Sequence, residues 1–175
     1  TESILILDDD ITIRKLLSYH LKNNGYLPVE ASNAEEGFKV LKEKNVSLVL
    51  CDVTMEEMDG FTFCRMVREN QNFRTLPFVF VTAKTSIEDK TIALEAGGDD
   101  FITKPFNIDE LIIKVSTLLK RTDIYKTYGT KKNIETSFSK TNYKLLLLDD
   151  DETVTKFFQY NLTKEGYPCA VANSV

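Results

Sequence analysis

Four apolar stretches of the chain each end in a side chain that is suited to phosphate chemistry. Asp52 follows one of them, an acidic run at 8–10 follows another, Thr82 ends a third and Lys104 follows the fourth. A carboxylate at the mouth of a buried strand is costly unless something binds it. Several carboxylates in one pocket repel each other, and Mg²⁺ relieves that repulsion because it prefers oxygen ligands and keeps waters that a phosphate can replace. The pattern therefore predicts a site for a metal ion and a phosphoryl group.

The aspartates also offer a nucleophile, since a carboxylate can form an aspartyl-phosphate. A phosphoryl group on Asp52 would carry about two negative charges and three acceptor oxygens. The ammonium of Lys104, the hydroxyl of Thr82 and a metal ion would each take one of these oxygens. Each residue alone is a weak signal, because a threonine at a strand end and a Lys-Pro turn are common and Asp10 suits a helix N-cap. The combination at four strand ends is a strong signal.

A parallel sheet must position these residues, because short apolar strands alternate with segments of helical period through the first two-thirds of the chain. The runs at 4–7, 47–51 and 78–81 are apolar without alternation, which is typical of strands buried on both faces. Pro28 cannot donate to a ladder, so its run at 26–31 belongs at an edge of the sheet. In such sheets ligands bind beyond the carboxyl ends of the strands, where the four polar positions lie.

Capping residues predict where the helices begin and end. Asp10 precedes the first helix, and three further polar residues are each followed by a Glu three positions later, as in a capping box. These pairs are Asn33 with Glu36, Thr85 with Glu88, and Asn107 with Glu110. Gly25 and the pair Gly97-Gly98 stand where helix C-termini need a left-handed residue. The sum is five β–α units, with a last helix from about Asn107 to Arg121.

The chain is expected to hold one complete domain and the start of a second copy. The complete domain covers residues 1–121, a linker covers 122–141, and the second copy covers 142–175. The linker is rich in Thr, Lys, Ser and Asn and lacks helical period. Residues 145–175 align without a gap onto 4–34, an offset of 141, so that LLLLDDD repeats ILILDDD. This copy contains no counterpart of Asp52.

The composition excludes several classes of protein. The 175 residues are 42% hydrophobic and 28% charged, as in an ordinary globular protein, and a net charge of −5 argues against a nucleic-acid-binding surface within this chain. No run approaches the length of a membrane span and no signal segment opens the chain, so we expect no membrane association and a cytoplasmic location. Cys51, Cys64 and Cys169 fit neither a disulfide framework nor a zinc site, and we expect the first two in the core.

Longer motifs surround the polar residues: ILILDDD at 4–10, LVLCDVTMEEMDG at 48–60, FVFVTAK at 78–84 and AGGDDFITKPF at 96–106. Through these motifs the chain resembles the receiver domain of bacterial two-component response regulators. The resemblance covers residues 3–121 and then the repeat at 145–175. It implies an α/β fold of the flavodoxin-like, doubly wound type, with a five-stranded parallel sheet in the order 2-1-3-4-5. A partial β-α-β of a second receiver would follow.

The resemblance also implies a role for each site residue. Asp52 would be the phosphoacceptor and Lys104 would pair with the phosphate. The cofactor Mg²⁺ would be bound by Asp9, Asp52, the Thr54 carbonyl and, through water, Asp8. Thr82 would move towards the phosphate and Phe101 would swing inward. The face formed by the fourth helix, fifth strand and fifth helix would then change shape and be read by partners.

The phosphoryl donor must be another molecule, because His20 is the only histidine and is expected on the surface of the first helix, far from the strand ends. The resemblance implies a phospho-histidine on a sensor histidine kinase or on a histidine phosphotransfer protein. It also implies that the chain is not an enzyme, apart from its own phosphorylation and dephosphorylation.

Some positions depart from the common pattern of these domains. Glu56 stands where a proline is usual, so the loop after Asp52 is expected to be less rigid. Phe101 is not a tyrosine, so this position offers no hydroxyl. Thr54 and Lys84 lie two residues beyond Asp52 and Thr82, where they would hinder the water that hydrolyses the phosphoryl group. We therefore expect a phosphoryl lifetime of intermediate length.

Two other interpretations compete with the receiver. Phosphatases of the haloacid dehalogenase type carry Asp-x-Asp-x-Thr after a strand, and Asp8, Asp10 and Thr12 fit that string. Asp8 would then be the nucleophile and Asp10 the general acid of a Mg²⁺-dependent hydrolase. That reading leaves Asp52 unexplained, and a helix directly after Asp10 leaves no room for the flap of such enzymes. The third interpretation is an interaction module that keeps the fold without chemistry.

The second copy is too short to bury its helix and strands by itself. Its unpaired strand edges predict docking on the first domain or exchange in a homodimer. Whether this copy has chemistry of its own stays open.

Overall fold

The computed structural model describes residues 1–84, 86–128 and 144–172. The chain forms two compact units, Thr1–Gly129 and Thr130–Val175. Among the described residues, the first unit has five strands and five helices, and the second has two strands and one helix.

A parallel sheet forms the centre of the first unit. Its strands are β1 (Ser3–Leu7), β2 (Leu27–Ala31), β3 (Leu48–Asp52), β4 (Phe78–Thr82) and β5 (Asp100–Thr103). They lie in the order β2-β1-β3-β4-β5, and every neighbouring pair is parallel. The predicted fold and strand order are therefore confirmed. Pro28 lies on the edge strand β2, the place expected for a residue without an N–H donor.

Helices cover both faces of this sheet. They are α1 (Ile11–Asn23), α2 (Ala34–Glu43), α3 (Gly60–Glu69), α4 (Ile87–Glu95) and α5 (Ile108–Tyr128). Successive residues of β1 point to opposite faces, so Leu5 and Leu7 pack with residues of α2, α3 and α4, and Ile4 and Ile6 pack with residues of α1 and α5. Because both faces are covered, the strands need apolar residues at every position, which explains why their sequences do not alternate.

The predicted helix caps are correct at three helices and wrong at a fourth. Asn107 directly precedes α5, and its side chain accepts from the Asp109 N–H at 2.8 Å. Asp10 caps α1 by accepting from the Thr12 N–H, and Asn33 caps α2 by accepting from the Glu36 N–H. The predicted cap Thr85 lies outside the described residues. The cap of α4 is Ser86, whose hydroxyl accepts from the Asp89 N–H. Two successive hydroxyl residues made this boundary ambiguous in the sequence.

Helix α5 continues to Tyr128, beyond the end predicted at Arg121. Its added residues fall in the predicted linker, and residues 129–143 of that linker lie outside the described part of the chain. The helix was hidden in the sequence because residues 122–128 contain the Thr and Lys that are typical of the predicted linker. Within the described residues, no helix combines the length and the apolar character needed to cross a bilayer.

Cys51 and Cys64 lie in the core between β3 and the α2–α4 layer, as predicted, and both are fully buried. Burial raises the pKa of the Cys64 thiol to about 11 and that of Cys51 well above its usual range. Both side chains are therefore small apolar core residues with unreactive thiols. Cys169 is partly exposed.

Arg68 of α3 links three segments at the amino ends of β4 and β5, the edge of the sheet opposite the acidic cluster. Its guanidinium donates to the Gly97 carbonyl at 2.7 Å, the Leu76 carbonyl at 2.7 Å and Asp99 Oδ2 at 3.0 Å. Asp99 Oδ2 also accepts from the Phe78 N–H at 2.8 Å, at the start of β4. One side chain thus holds the segments that lead into two strands.

Replacing Arg68 with alanine should lower the free energy of unfolding by roughly 2 kcal/mol, because charged hydrogen bonds to part-buried carbonyls are lost. The matched control is Arg65→Ala on the same helix, since Arg65 makes one exposed bond, to Thr62 at 3.0 Å. Urea unfolding of both variants measures the difference. Equal destabilisation by the two substitutions would contradict the role given to Arg68.

The second unit repeats the opening elements of the first. It consists of β6 (Leu145–Leu148), α6 (Glu152–Lys164) and β7 (Cys169–Ala172), and β6 pairs with β7 in parallel. Asp151 caps α6 as Asp10 caps α1, and Gly166 has a φ of 89°, close to the 84° of Gly25 at the matching position. The internal repeat predicted from the sequence is therefore visible in the structure.

Apolar residues of the second unit are exposed at positions where the first unit buries the matching residues. Leu146 and Leu148 are 69% and 55% exposed, whereas the matching Leu5 and Leu7 are fully buried. Phe157 and Tyr160 of α6 are also exposed. Docking or exchange in a homodimer, expected from these open surfaces, stays a prediction.

Candidate functional site

Two carboxylates meet at the carboxyl edge of the sheet because β1 and β3 are neighbours. Leu7 pairs with Cys51, so the next residues, Asp8 and Asp52, lie side by side. Asp8 is 2% exposed and Asp52 is 7% exposed, whereas Asp9 is open to solvent. One carboxylate oxygen from each of these three residues lies within 4.8 Å of the others. The acidic cluster predicted from the strand ends is therefore assembled.

Lys104 joins the two buried carboxylates. Its Nζ lies 2.7 Å from Asp8 Oδ2 and 3.1 Å from Asp52 Oδ2. The lysine follows β5, two strands away from Asp52, and reaches the site from the loop that begins with the cis Lys104–Pro105 peptide bond. Its backbone N–H donates to the Thr82 carbonyl at 2.8 Å, so the loop is anchored to the end of β4.

Burial and charge act in opposite directions on this group. Burial raises the pKa of the Asp52 carboxyl and the neighbouring Asp8 adds to the rise, while Lys104 and a backbone hydrogen bond with Thr54 oppose it. For Lys104, burial acts to lower the pKa, but the hydrogen bond to Asp8 and the charges of both aspartates outweigh it, so the pKa is raised. Lys104 is therefore a permanent cation in a site with more acidic than basic groups.

The backbone of the acidic loop is held by Arg14, which the sequence reasoning did not select. The Arg14 guanidinium donates to the Asp8 carbonyl at 2.7 Å and to the Asp9 carbonyl at 3.1 Å. The loop is also closed locally, since Asp8 Oδ1 accepts from the Asp10 N–H at 2.8 Å. A signal was present, because a cation near the N-terminus of a helix is unfavourable unless it has another partner.

Thr82 is buried at the end of β4, and its hydroxyl accepts from the Lys84 N–H at 3.0 Å. The Lys84 side chain is exposed and its Nζ lies 3.9 Å from Asp89 Oδ1 on α4. Because Val81 pairs with Asp52, Thr82 ends the strand next to the one that carries Asp52. Thr54, two residues after Asp52, is exposed.

Phe101 of β5 lies at a small cavity that also reaches Thr82. The cavity is lined by Val53, Phe61, Phe80, Thr82, Lys84, Asp89, Lys90, Ala93 and Phe101. The aromatic ring is partly buried, and Lys90 Nζ of α4 lies 4.8 Å from its centre. Phe101 and Thr82 therefore line the same cavity.

Gly60 brings helix α3 against the acceptor strand. A Cβ atom at this position would lie 2.1 Å from the Asp52 carbonyl oxygen, so only glycine fits. The Gly60 N–H donates to the Val53 carbonyl at 2.9 Å. Within the loop between them, Glu57 has a positive φ of 66°, which is unusual for a residue with a side chain. The close contact of Gly60 with Asp52 and its hydrogen bond to Val53 thus hold the two ends of this loop together.

The structure does not support the phosphatase roles of the acidic run. The Asp10 carboxylate is exposed and accepts from the Thr12 N–H at 2.7 Å, and this bond lowers the pKa of Asp10. A general acid needs a raised pKa to hold its proton near neutral pH. Helix α1 begins at Ile11, directly after this residue. His20 lies on α1 with its ring 5.2 Å from that of Tyr19 and takes no part in the cluster.

The acidic cluster fits a magnesium ion. Oxygens bound to one Mg²⁺ lie roughly 3–4 Å apart. One carboxylate oxygen from each of the three aspartates lies within 4.8 Å of the others, and Asp9 is exposed. An ion here would offset the excess of negative charge that Lys104 leaves uncompensated. The donor set of carboxylate oxygens is also the one that Mg²⁺ prefers.

Sequence comparison places the first unit in a known group. The family model for the response regulator receiver domain matches residues 4–116. The probable transcriptional regulator ycf29 of Cyanophora paradoxa is 32% identical over 94% of this chain and 77% of its own length. The alkaline phosphatase synthesis transcriptional regulatory protein PhoP of Bacillus subtilis is 32% identical over 95% of this chain and 69% of its own length. The transcriptional regulatory protein GltR of Pseudomonas aeruginosa is 35% identical and is covered over 52% of its length.

The chain therefore spans about half to three quarters of the length of these curated relatives. Solved structures agree with the fold. A receiver domain of a Francisella response regulator superposes with a TM-score of 0.66 at 34% identity, over 70% of this chain and 99% of that one. The chemotaxis protein CheY4 of Vibrio cholerae gives 0.65 at 28% identity, over 67% of this chain and 98% of that one.

Proposed function

Since the chain belongs to the response regulator receiver domain family, we propose that Asp52 accepts a phosphoryl group from a phospho-histidine donor. The donor would be a sensor histidine kinase or a histidine phosphotransfer protein. The observation that carries the proposal is the position of Lys104, which contacts Asp8 at 2.7 Å and Asp52 at 3.1 Å. The choice of Asp52 as acceptor rests on its place at the end of a central strand and on its contact with this cation.

A carboxylate oxygen of Asp52 would attack the phosphorus atom of the donor. The P–N bond breaks, its electron pair returns to the imidazole ring, and the ring takes a proton from solvent. Lys104 stabilises the charge that develops on the transferred group by donating to one of its oxygens. Asp9, Asp52, the Thr54 carbonyl and, through water, Asp8 would hold Mg²⁺, which would supply further neutralisation of the phosphoryl oxygens when bound.

The switch would begin at Thr82. Its hydroxyl oxygen accepts from the Lys84 N–H, and a phosphoryl oxygen on Asp52 would be a charged acceptor for the proton of this hydroxyl. Turning towards that oxygen frees space in the cavity shared with Phe101, and the aromatic ring moves inward to fill it. The surface formed by α4, β5 and α5 then differs between the two states and is available to partners.

Thr54 and Lys84 are proposed to slow hydrolysis by hindering the attacking water. We expect Thr54→Ala and Lys84→Ala each to shorten the phosphoryl lifetime several-fold, because both side chains are exposed beside the site. Decay of the adduct after removal of the donor measures this lifetime. Lys39→Ala, an exposed lysine of α2 away from the site, is the control. Unchanged lifetimes in both site variants would contradict the role.

The test of the function is intact-mass spectrometry of the chain after incubation with Mg²⁺ and acetyl phosphate. The proposal requires one phosphoryl adduct that fails to form when the metal is chelated. Borohydride reduction followed by peptide mapping then locates the modified residue. An adduct on Asp8 would favour the phosphatase, and the absence of any adduct would favour an interaction module without chemistry.

Several further properties rest on the same proposal. The chain would carry out no catalysis beyond its own phosphorylation and dephosphorylation, which fits relatives that are named as regulators. A cytoplasmic location and a homodimer stay predictions of the sequence. Sedimentation velocity over a range of concentrations tests the homodimer.

A further inference from the structure

Arg14 connects the acidic loop to the rest of the fold. Its guanidinium reaches back from α1 and donates to the carbonyls of Asp8 and Asp9, at 2.7 Å and 3.1 Å. The Arg14 side chain is only 12% exposed, so these bonds lie largely out of solvent. Bonds to two successive carbonyls fix the orientation of the peptide units that carry both carboxylates. The side chain itself binds neither carboxylate.

Glu30 of β2 holds Arg14 in this position. Glu30 Oε2 lies 3.7 Å from Arg14 Nε, and Glu30 also accepts from the Ser18 hydroxyl at 2.7 Å and from Lys15 Nζ at 3.1 Å. Burial acts to raise the pKa of Glu30, but these hydrogen bonds and cations outweigh it and lower the pKa, so the residue stays ionised. Arg14 and Glu30 thus form a continuous link from the edge strand to the acidic loop.

The second unit shows what the loop is like without this link. It keeps the acidic run and the local turn, since Asp149 Oδ1 accepts from the Asp151 N–H at 2.9 Å. At an offset of 141, however, Arg14 is replaced by Thr155 and Glu30 by Val171, whereas Lys15 is retained as Lys156. Thr155 donates to the carbonyls of Asp151 and Glu152, which are not the counterparts of the Asp8 and Asp9 carbonyls. Both members of the link are thus replaced in the second unit.

We propose that Arg14, held by Glu30, is a positioning residue that fixes the carboxylates of Asp8 and Asp9 for binding a divalent cation. This inference rests on the proposed function, because it concerns the same metal site. Its physical basis is preorganisation: a loop held in one conformation loses less freedom when the cation binds. The charge of Arg14 acts in the opposite direction, since one cation repels another. The sign of the effect on affinity therefore distinguishes positioning from simple electrostatics.

Mg²⁺ binding to the full chain, measured by isothermal titration calorimetry, tests the proposal. We expect Arg14→Met to weaken Mg²⁺ binding by about ten-fold, the usual effect of removing a residue that orients metal ligands. Arg14→Lys keeps the charge but has no planar fork to reach two carbonyls, so it should also weaken binding. Glu30→Gln should act in the same direction, although Glu30 does not contact the loop.

Lys22→Met is the matched control, because Lys22 is an exposed cation in the last turn of α1, at the end of the helix opposite the acidic loop. It should bind Mg²⁺ as the unmodified chain does. Far-ultraviolet circular dichroism and thermal unfolding establish whether each variant is folded. If Arg14→Met does not fold, Arg14→Lys provides the test.

The outcomes separate this inference from the proposed function. Unchanged or tighter Mg²⁺ binding in both Arg14 variants would overturn the positioning role and leave the metal site intact. If the unmodified chain binds no Mg²⁺, the metal site of the proposed function and this inference fail together. Weaker binding in the Arg14 and Glu30 variants, with Lys22→Met unchanged, supports the link.

Discussion

Replacing Asp52 with asparagine should abolish the phosphoryl adduct that forms with Mg²⁺ and acetyl phosphate. The amide has nearly the same volume and keeps hydrogen-bonding capacity, but its oxygen is a far weaker nucleophile than a carboxylate. The substitution also removes one charge from a cluster in which Asp8, Asp52 and Lys104 lie within direct contact. We therefore expect the variant to fold and to show no adduct by intact-mass spectrometry over the time in which the unmodified chain reacts fully.

Two further variants are compared with Asp52→Asn to test the assignment of the acceptor. Asp109→Asn changes an exposed carboxylate in the first turn of α5, away from the site, and should leave adduct formation unchanged. Asp8→Asn should slow adduct formation through weaker metal binding without removing the acceptor. An adduct that persists in Asp52→Asn and disappears in Asp8→Asn would move the nucleophile to the first strand and overturn the assignment.

Replacing Gly60 with alanine should lower the free energy of unfolding by roughly 3 kcal/mol, the upper end of the usual cost of overpacking. The added methyl group would lie 2.1 Å from the Asp52 carbonyl oxygen and 3.0 Å from Val53 Cα, both of them backbone atoms. A flexible side chain could move aside, but here either α3 or the end of β3 must shift. Because β3 carries Asp52, we expect the loss of stability to be accompanied by slower phosphorylation. Urea unfolding and the adduct assay measure the two effects.

Gly37→Ala is the matched control, because Gly37 also lies in a helix that packs on the same face of the sheet. A methyl group there would meet Phe63 ring atoms at 3.1 Å, a distance that a small ring movement relieves. The gain in helix propensity of up to about 1 kcal/mol acts against that crowding. If Gly60→Ala and Gly37→Ala have the same stability and the same phosphorylation rate, α3 is not in close contact with the acceptor strand.

The sheet and the acidic cluster are predictable from the sequence because one physical requirement determines both. Strands such as 4–7 and 78–81 need apolar residues on both faces, so they stand out without an alignment. The carboxyl ends of parallel strands share one edge, so the residues that follow them must meet. Asp8, Asp52 and Lys104 come together for this reason, although Lys104 is far from Asp8 in sequence.

The features that sequence reasoning missed depend on contacts that leave no periodic pattern. The cap of α4 could not be placed between two adjacent hydroxyl residues, and the polar end of α5 has the composition of a linker. Arg68 acts through backbone carbonyls, and an arginine that binds carbonyls looks the same in sequence as one that is solvated. Arg14 acts in the same way, and its sequence signal was its place near the N-terminus of α1. Gly60 could be taken for an ordinary helix start, since its close approach to Asp52 appears only in three dimensions.

The burial of Cys51 has a practical consequence for following the motions of the site. Its thiol is fully buried, donates to the Asp52 carbonyl at 3.1 Å and has a pKa raised by burial, so alkylating reagents cannot reach a reactive thiolate in the closed fold. The thiol faces the α2–α4 layer, so alkylation must wait until that layer opens over β3. Cys169 is partly exposed and provides an internal reference for the reagent. The labelling rate of Cys51 therefore measures how often the helical layer opens over the acceptor strand, without any phosphoryl donor being added.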